Sequence, residues 1–374
     1  MHYAKLAALA AAVLSLAGAM PAAAQSQDAN KVTDLGVYPP WQGGRNNDAA
    51  MRGFEFTIAD ADNLADFHGS PQDPMLSLYV GGNYFFAMAP LVAAFEQRYP
   101  EYKGRLYWET IPPGLLVRQM KMGGTITVGN MTWTVKPDVY LAGKNAVQKQ
   151  MDDGLLVGPV VPYVTNTLAI MVPKGNPAKV TGLASLGGAS IKLAMPNPEF
   201  EGIARQISSA LEAAGGKPLA DKVYKAKVAD GTSILTHIHH RQTPLWIMQG
   251  KAQAGVTWQS EVAFQMQAGH PIEGVEIPAA QNQTAIYAGA MAKDAPHPEA
   301  AKRWLEFIRS PEALAIVGRY GFKPYQASPQ GLFARQRFLG HKRNMGYATR
   351  FNRAIGSLSG WNSPAGSRLA CSQR

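Results

Sequence analysis

The chain has 374 residues, 46 % of them hydrophobic, and a formal net charge of +10. That length accommodates about two domains of ordinary size, with enough apolar content for packed cores that need no covalent help. The single cysteine, Cys371, cannot form an internal disulfide, and it excludes cysteine-cluster metal sites and c-type haem, which needs C-x-x-C-H.

Residues 1–24 read as a secretion signal. Lys5 supplies a positive start, Leu6 to Gly18 a short apolar run, and Ala22-Ala23-Ala24 a cleavage pattern before Gln25. No later stretch approaches the roughly 18 apolar residues a membrane span needs. No twin-arginine pair or lipobox cysteine accompanies the signal, so export by general secretion to the periplasm is expected. The basicity is a tail property. Eight basic residues and no acid follow Tyr325; with these and Lys5 set aside, residues 25–325 carry about +1. Nucleic acid is not an expected partner. The tail, 326–374, is read as a solvated segment, or as one that touches an anionic membrane surface or a partner protein. Residues 25–74, rich in Asp, Asn, Gly and Pro, are read as a leader packed on the body. Asp60, Asp62, Asn63 and Asp66 do not match the spacing of a calcium loop.

The rest of the chain is organised around Leu76 to Pro100. Leu76, Leu78 and Val80 alternate with Ser77 and Tyr79 as in a strand. Gly81-Gly82-Asn83 break the pattern, and Met88, Leu91, Val92 and Phe95 form a helical stripe. A strand opening through glycine into a helix gathers free backbone N–H groups at one point, a place for an anion or polar ligand; an ordinary βα turn has the same pattern. The unit recurs twice. Arg105–Trp108 lead through Thr110–Gly114 into a helix from Leu115, and 137–143 lead into a helix from Asn145. Three such units predict a doubly wound parallel sheet with its strand ends along one crevice. Residues 123–136 read as an inserted stretch of β character. A second series comes next: strands over 167–173 and 191–195, a helix over 202–214, an extended segment over 233–239, a helix over 243–250 and a strand over 254–258. The chain then returns with a strand over 284–291 and helices over 298–308 and 311–318.

Thr236-His237-Ile238-His239-His240-Arg241 is the most unusual short run. In a strand His237 and His239 share one face and His240 takes the other. Two imidazoles suit copper, zinc or iron, with Glu201, Glu261 or His270 as a third ligand; otherwise the run rims the cleft with one histidine donating to a ligand or to backbone. No G-x-S-x-G, phosphate loop or triad spacing is present, and Asp152-Asp153 read as a helix end, so neither an enzyme nor a cofactor is expected.

The closing run AAKRWLEFIRSPEALAIVGRYGFKP, the segments NTLAIMVPKGNP and AMPNPEFEGIAR, and LLVRQMKMGG resemble those of type II periplasmic solute-binding proteins, most of all the molybdate-binding components of ABC importers, over residues 75–325. The resemblance implies two α/β lobes, here 75–165 with 280–325 and 166–279, each a doubly wound sheet flanked by helices and closing on a ligand. It implies a monomer that binds a small inorganic oxyanion of the molybdate or tungstate kind and meets a membrane permease. Carried over position by position, it assigns ligand contacts to Gly82 and Asn83, to Pro113 and Gly114, and to Ala142, Asn197, His240, Arg241 and Trp258. Asn83 stands where a serine is usual, Pro113-Gly114 replace another, and Trp258 replaces a tyrosine. The rival reading makes the protein a receptor for a transition metal or metal complex serving a sensor or redox system, with His237 and His239 as ligands.

Overall fold

The computed structural model describes residues 54–56 and 66–326, apart from 129, 130, 200 and 238. The signal, most of the leader and the tail beyond 326 lie outside them. The main sheet is built on parallel strands β3 (Leu76–Gly81), β4 (Leu106–Ile111) and β7 (Val139–Gly143), in spatial order β7-β3-β4. Helices α1 (Phe85–Arg98), α2 (Pro113–Lys121) and α3 (Lys144–Asp152) follow them in turn. Every residue of β3 is buried, because both sheet faces are covered. The alternation still shows in the packing. Leu76, Leu78 and Val80 join a core with Leu91, Phe95 and Trp304 on one face. Tyr79 turns to the other, with Tyr107, Tyr140, Leu116 and Val147.

Two short strands extend this region. β2 (Phe67–His68) adds to β4 antiparallel. β1 (Phe54–Phe56) pairs in parallel with β5 (Thr125–Val128), whose antiparallel partner is β6 (Met131–Thr134). The inserted stretch is therefore a hairpin, and part of the leader is its third strand.

β8 (Leu156–Pro173) joins the lobes. Its first part pairs with β13 (Thr284–Ala292), which itself borders β7. Its second part pairs with β11 (Ala254–Trp258) and β12 (Ile272–Val275). β8 and β13 run antiparallel to their neighbours, so the sheet is mixed where the chain crosses. Asn282 ties the returning segment to β8: its amide donates to the Leu168 carbonyl at 2.8 Å and its oxygen accepts the Leu168 N–H at 2.9 Å. The second lobe carries parallel strands β9 (Leu193–Met195), β10 (Ser233–Leu235) and β11, with α4 (Gly202–Asp221), α5 (Gln242–Met248) and α6 (Gln259–Gln267). α7 (Pro298–Phe307), α8 (Pro311–Gly318) and β14 (Lys323–Pro324) complete the described chain.

Gly255 on β11 shows how tightly this lobe is packed. A Cβ there would stand 2.4 Å from the Ala194 carbonyl oxygen and 2.5 Å from the Thr243 methyl. Gly255→Ala is expected to cost about 1–3 kcal/mol through overpacking, read as a lower urea midpoint at unchanged m-value.

Candidate functional site

A cavity of about 500 Å³ opens where the strands of both lobes end. From the first lobe, the chain after β3 makes one 3-10 turn, Gly82–Tyr84. A Cβ on Gly82 would lie 3.3 Å from Cε1 and Nε2 of His239, so the bare glycine lets an imidazole of the second lobe rest against the turn. Asn83 is buried and donates its amide to the Tyr287 hydroxyl at 2.6 Å. After β4, Pro112 caps α2, and its carbonyl accepts from the N–H groups of Leu115 at 2.9 Å and Leu116 at 3.2 Å. Pro113 stands first in the helix, where a missing N–H costs nothing. After β7, Gly143 caps α3.

From the second lobe come the start of α4, the turn before α5 and the start of α6. Glu201 caps α4 and is buried, and Trp258 caps α6 and is 5 % exposed. Four groups converge on the Glu201 carboxylate. The Asn197 N–H donates to Oε1 at 3.2 Å and the Thr236 hydroxyl donates to the same oxygen. The His240 N–H reaches Oε2 at 2.5 Å, and Nδ1 of the same residue lies 3.0 Å from Oε2. His240 is 5 % exposed, and its Nε2 is buried without a hydrogen-bond partner. The His239 and His240 rings lie 3.9 Å apart. His239 accepts the Arg241 N–H on Nδ1 at 3.2 Å, which leaves Nε2 as its protonated nitrogen. Burial, then the nearby charges of His240 and Arg241, push His239 well below the usual histidine range, so it is neutral at pH 7.

Of the residues expected from sequence, Asn83, Pro113, Gly114, His240 and Trp258 line this one cavity. Gly82 abuts it through His239. Ala142 lies within β7 opposite Ala288, one residue before the lining Gly143. Asn197 spends its N–H within the lobe, shared between the Thr236 hydroxyl oxygen at 3.1 Å and Glu201 Oε1 at 3.2 Å. Arg241 is half-buried elsewhere: its guanidinium donates to the Thr110 carbonyl at 3.1 Å and lies 4.0 Å above the Phe85 ring. The extended segment expected over 233–239 stops at Leu235, because the Gln242 side chain takes the His237 N–H at 2.6 Å and bends the chain into α5. His237 and His239 therefore do not sit on one strand face, and His237 packs edge-on to Trp246. Among the described residues no group of three or more His, Cys, Asp or Glu side chains is arranged to hold a metal. Arg118, Arg205, Glu199, Glu201 and Tyr287 also line the cavity. For Glu201 the signal was an acid directly before a helix, a favoured place for negative charge.

A family model described as a bacterial extracellular solute-binding protein matches residues 76–323. Molybdate-binding protein ModA of Mycobacterium tuberculosis is 24 % identical over 243 residues, 63 % of this chain and 82 % of that protein. Among solved structures, the sulfate-binding protein SubI of Mycobacterium tuberculosis H37Rv aligns with a TM-score of 0.54 at 16 % identity, covering 71 % of this chain and 91 % of that one. The periplasmic molybdate-binding protein of Azotobacter vinelandii aligns with a TM-score of 0.52 at 17 % identity, covering 67 % and 100 %. With two thirds of the chain matched and the two-lobed fold in place, this chain belongs to the bacterial extracellular solute-binding protein family.

Proposed function

We propose that this protein is the exported, monomeric solute receptor of an ABC importer, and that it captures a small anion by an oxyanionic group and delivers it to a membrane permease. One observation carries the reading: α2, α3, α4 and α6 all begin at the same cavity, which both lobes line. Each helix start bears the equivalent of about half a positive charge. The side-chain charges at the cavity, Arg118 and Arg205 against Glu199 and Glu201, offset one another, so the four helix starts are what favours an anion in this cleft. The names of the similar proteins, which bind molybdate and sulfate, point to the same class. A ligand touching both lobes stabilises the closed form, and that form is what a permease would read.

The test is a thermal-shift panel on stripped mature protein with molybdate, tungstate, sulfate, phosphate, small carboxylates and phosphate monoesters, and with copper, zinc and iron salts. An anion at about 100 times its dissociation constant adds roughly 2.7 kcal/mol, a readily measured shift. At least one anion is expected to raise the melting temperature saturably. A shift with a metal salt alone would overturn the reading. In calorimetry, Asn83→Ala is expected to weaken the responding anion about tenfold by releasing Tyr287, about 1.4 kcal/mol. Unchanged affinity would remove Asn83 from the site.

A further inference from the structure

Tyr287 lines the cavity, although its sequence context does not mark it as a ligand residue. It sits on β13, one of the two strands where the chain crosses between the lobes, opposite Gly143, the cap of α3. Its buried ring is met edge-on by Tyr84, Trp258 and Phe322, at 5.6, 6.1 and 5.7 Å between centroids. A ring packed edge-on from three sides has little freedom to turn. The hydroxyl is held in place, and its neighbours decide what it offers.

Two buried amides serve that oxygen. Asn83, from the turn after β3, donates to it at 2.6 Å. Asn166, on the other crossing strand β8, presents its amide to the same oxygen as a second donor. The chain itself orients the Asn166 amide. Its oxygen accepts the Thr167 N–H at 3.0 Å, so its nitrogen is the end that turns inward, where it also donates to the Ser260 hydroxyl oxygen at 2.7 Å. A phenolic oxygen that accepts twice keeps one hydrogen to give. Among the described residues no side chain or carbonyl is recorded as taking it. Burial pushes the Tyr287 hydroxyl far above the usual tyrosine range, and the bonds from Asn166 and Asn83 oppose this only in part, so the proton stays on at neutral pH. A buried donor with no acceptor is costly. The cavity that Tyr287 and Asn83 both line is where an acceptor can reach it.

We propose that the Tyr287 hydroxyl is a ligand contact of this cleft: it donates a hydrogen bond to an anionic oxygen of the bound solute, and Asn83 and Asn166 are positioning residues that hold its oxygen and leave its proton for the cavity. This rests on the proposed role of the cleft as an anion receptor and adds a donor on the crossing strands to the helix starts. The arrangement selects by sense of donation. With its lone pairs engaged the hydroxyl cannot accept, so a solute that presents a hydrogen donor at this point leaves two donors facing each other. Asn83, expected from sequence to touch the ligand, acts through Tyr287 instead. A tyrosine kept only for packing is replaceable by phenylalanine with no loss of binding, because the ring contacts remain.

Calorimetry on the mature protein with molybdate, sulfate, inorganic phosphate and glycerol 3-phosphate first selects the probe that wild type binds most tightly. With that probe Tyr287→Phe is expected to lose about tenfold or more in affinity, and Asn83→Ala about tenfold. The double variant is expected to bind no more weakly than Tyr287→Phe alone, because Asn83 has nothing left to position. Asn166→Ala is expected to follow the same pattern. Tyr287→Phe strands two buried amides, so a second measurement keeps the native hydroxyl: mature protein carrying 3-fluorotyrosine at position 287 alone. Its single fluorine resonance is expected to move with added probe along the calorimetric saturation curve. The proposal is overturned if folded Tyr287→Phe binds as tightly as wild type, or if the fluorine resonance stays still while the probe saturates. A double variant whose loss is the product of the two single losses would place Asn83 on the ligand independently and overturn its positioning role. Silence of all four probes with wild type would bring down the anion-receptor reading itself, which is a different result.

Discussion

Replacing Glu109 by glutamine is expected to abolish a loss of stability that the wild-type protein suffers as pH rises from about 4.5 to about 8. Glu109 lies on β4 with no exposure, on the side that carries the β5–β6 hairpin. Its Oε2 accepts the Tyr107 hydroxyl at 2.6 Å and the Gln119 amide at 3.3 Å, while Oε1 is buried with no partner. An ionised carboxylate with one oxygen stranded in a dry core is costly. Burial accordingly pushes its pKa up to about 8, and the bonds from Tyr107 and Gln119 only partly oppose the shift. The folded pKa lies above the unfolded one, so this group's contribution is fully present below about pH 4.5 and is lost as pH rises through 8. At about 1.36 kcal/mol per pKa unit, the loss approaches 5 kcal/mol. Glutamine copies the neutral acid. Urea unfolding at about pH 4.5, 6 and 8.5 is expected to show matching stability at the lowest pH and a variant several kcal/mol more stable at the highest. Curves that stay parallel would show that Glu109 does not titrate in this range.

Arg241→Ala is expected to loosen the contact between the lobes. The guanidinium comes from the turn that precedes α5 and ends on the first lobe, on the Thr110 carbonyl and the face of Phe85. A charged hydrogen bond of this kind contributes about 1.5–3 kcal/mol, and a sheltered cation–π contact about 1–2. The pair bridges two bodies, so its loss falls on closure as well as on folding. Loss of about 2–4 kcal/mol in urea unfolding is predicted, with a larger radius of gyration in ligand-free scattering. Arg241→Lys is expected to recover little, because an ammonium cannot both lie flat on Phe85 and reach Thr110. A variant with wild-type scattering and stability would assign closure to other contacts, such as Phe264 stacked on Phe86 at 4.8 Å.

The elements with clear periodicity are legible from residues alone. β11 occupies Ala254–Trp258 as expected, and α8 occupies Pro311–Gly318. The expected end of the α4 helix at Ala214 matches a break at Gly215 and Gly216, the latter at φ 70°, inside the longer span. β8 departs furthest from expectation. Gly158, Pro159 and Pro162 argue against a strand, but the sheet takes them in through register shifts against β13. α6 is hidden in the sequence because its buried side chains include Ser260, Glu261 and Gln265, which blur the apolar stripe. At the site, the strand-end turns after β3, β4, β7 and β9 can be read locally, since a glycine or proline marks each, whereas the turn from β11 into α6 at Trp258 has neither. The grip on Glu201 cannot. It joins residues up to 39 positions apart, and it turns on which side chain reaches a donor first.

If an anion is held where four helices begin, amide hydrogen exchange on the mature protein tests its place most directly. Exchange is compared with and without the panel anion that gives the largest thermal shift. Protection is predicted at the first turns of α2, α3, α4 and α6 and at residues 82–84, rising together along a single saturation curve. Protection that leaves these amides unchanged and falls on the β5–β6 hairpin or another surface would contradict anion capture in this cleft.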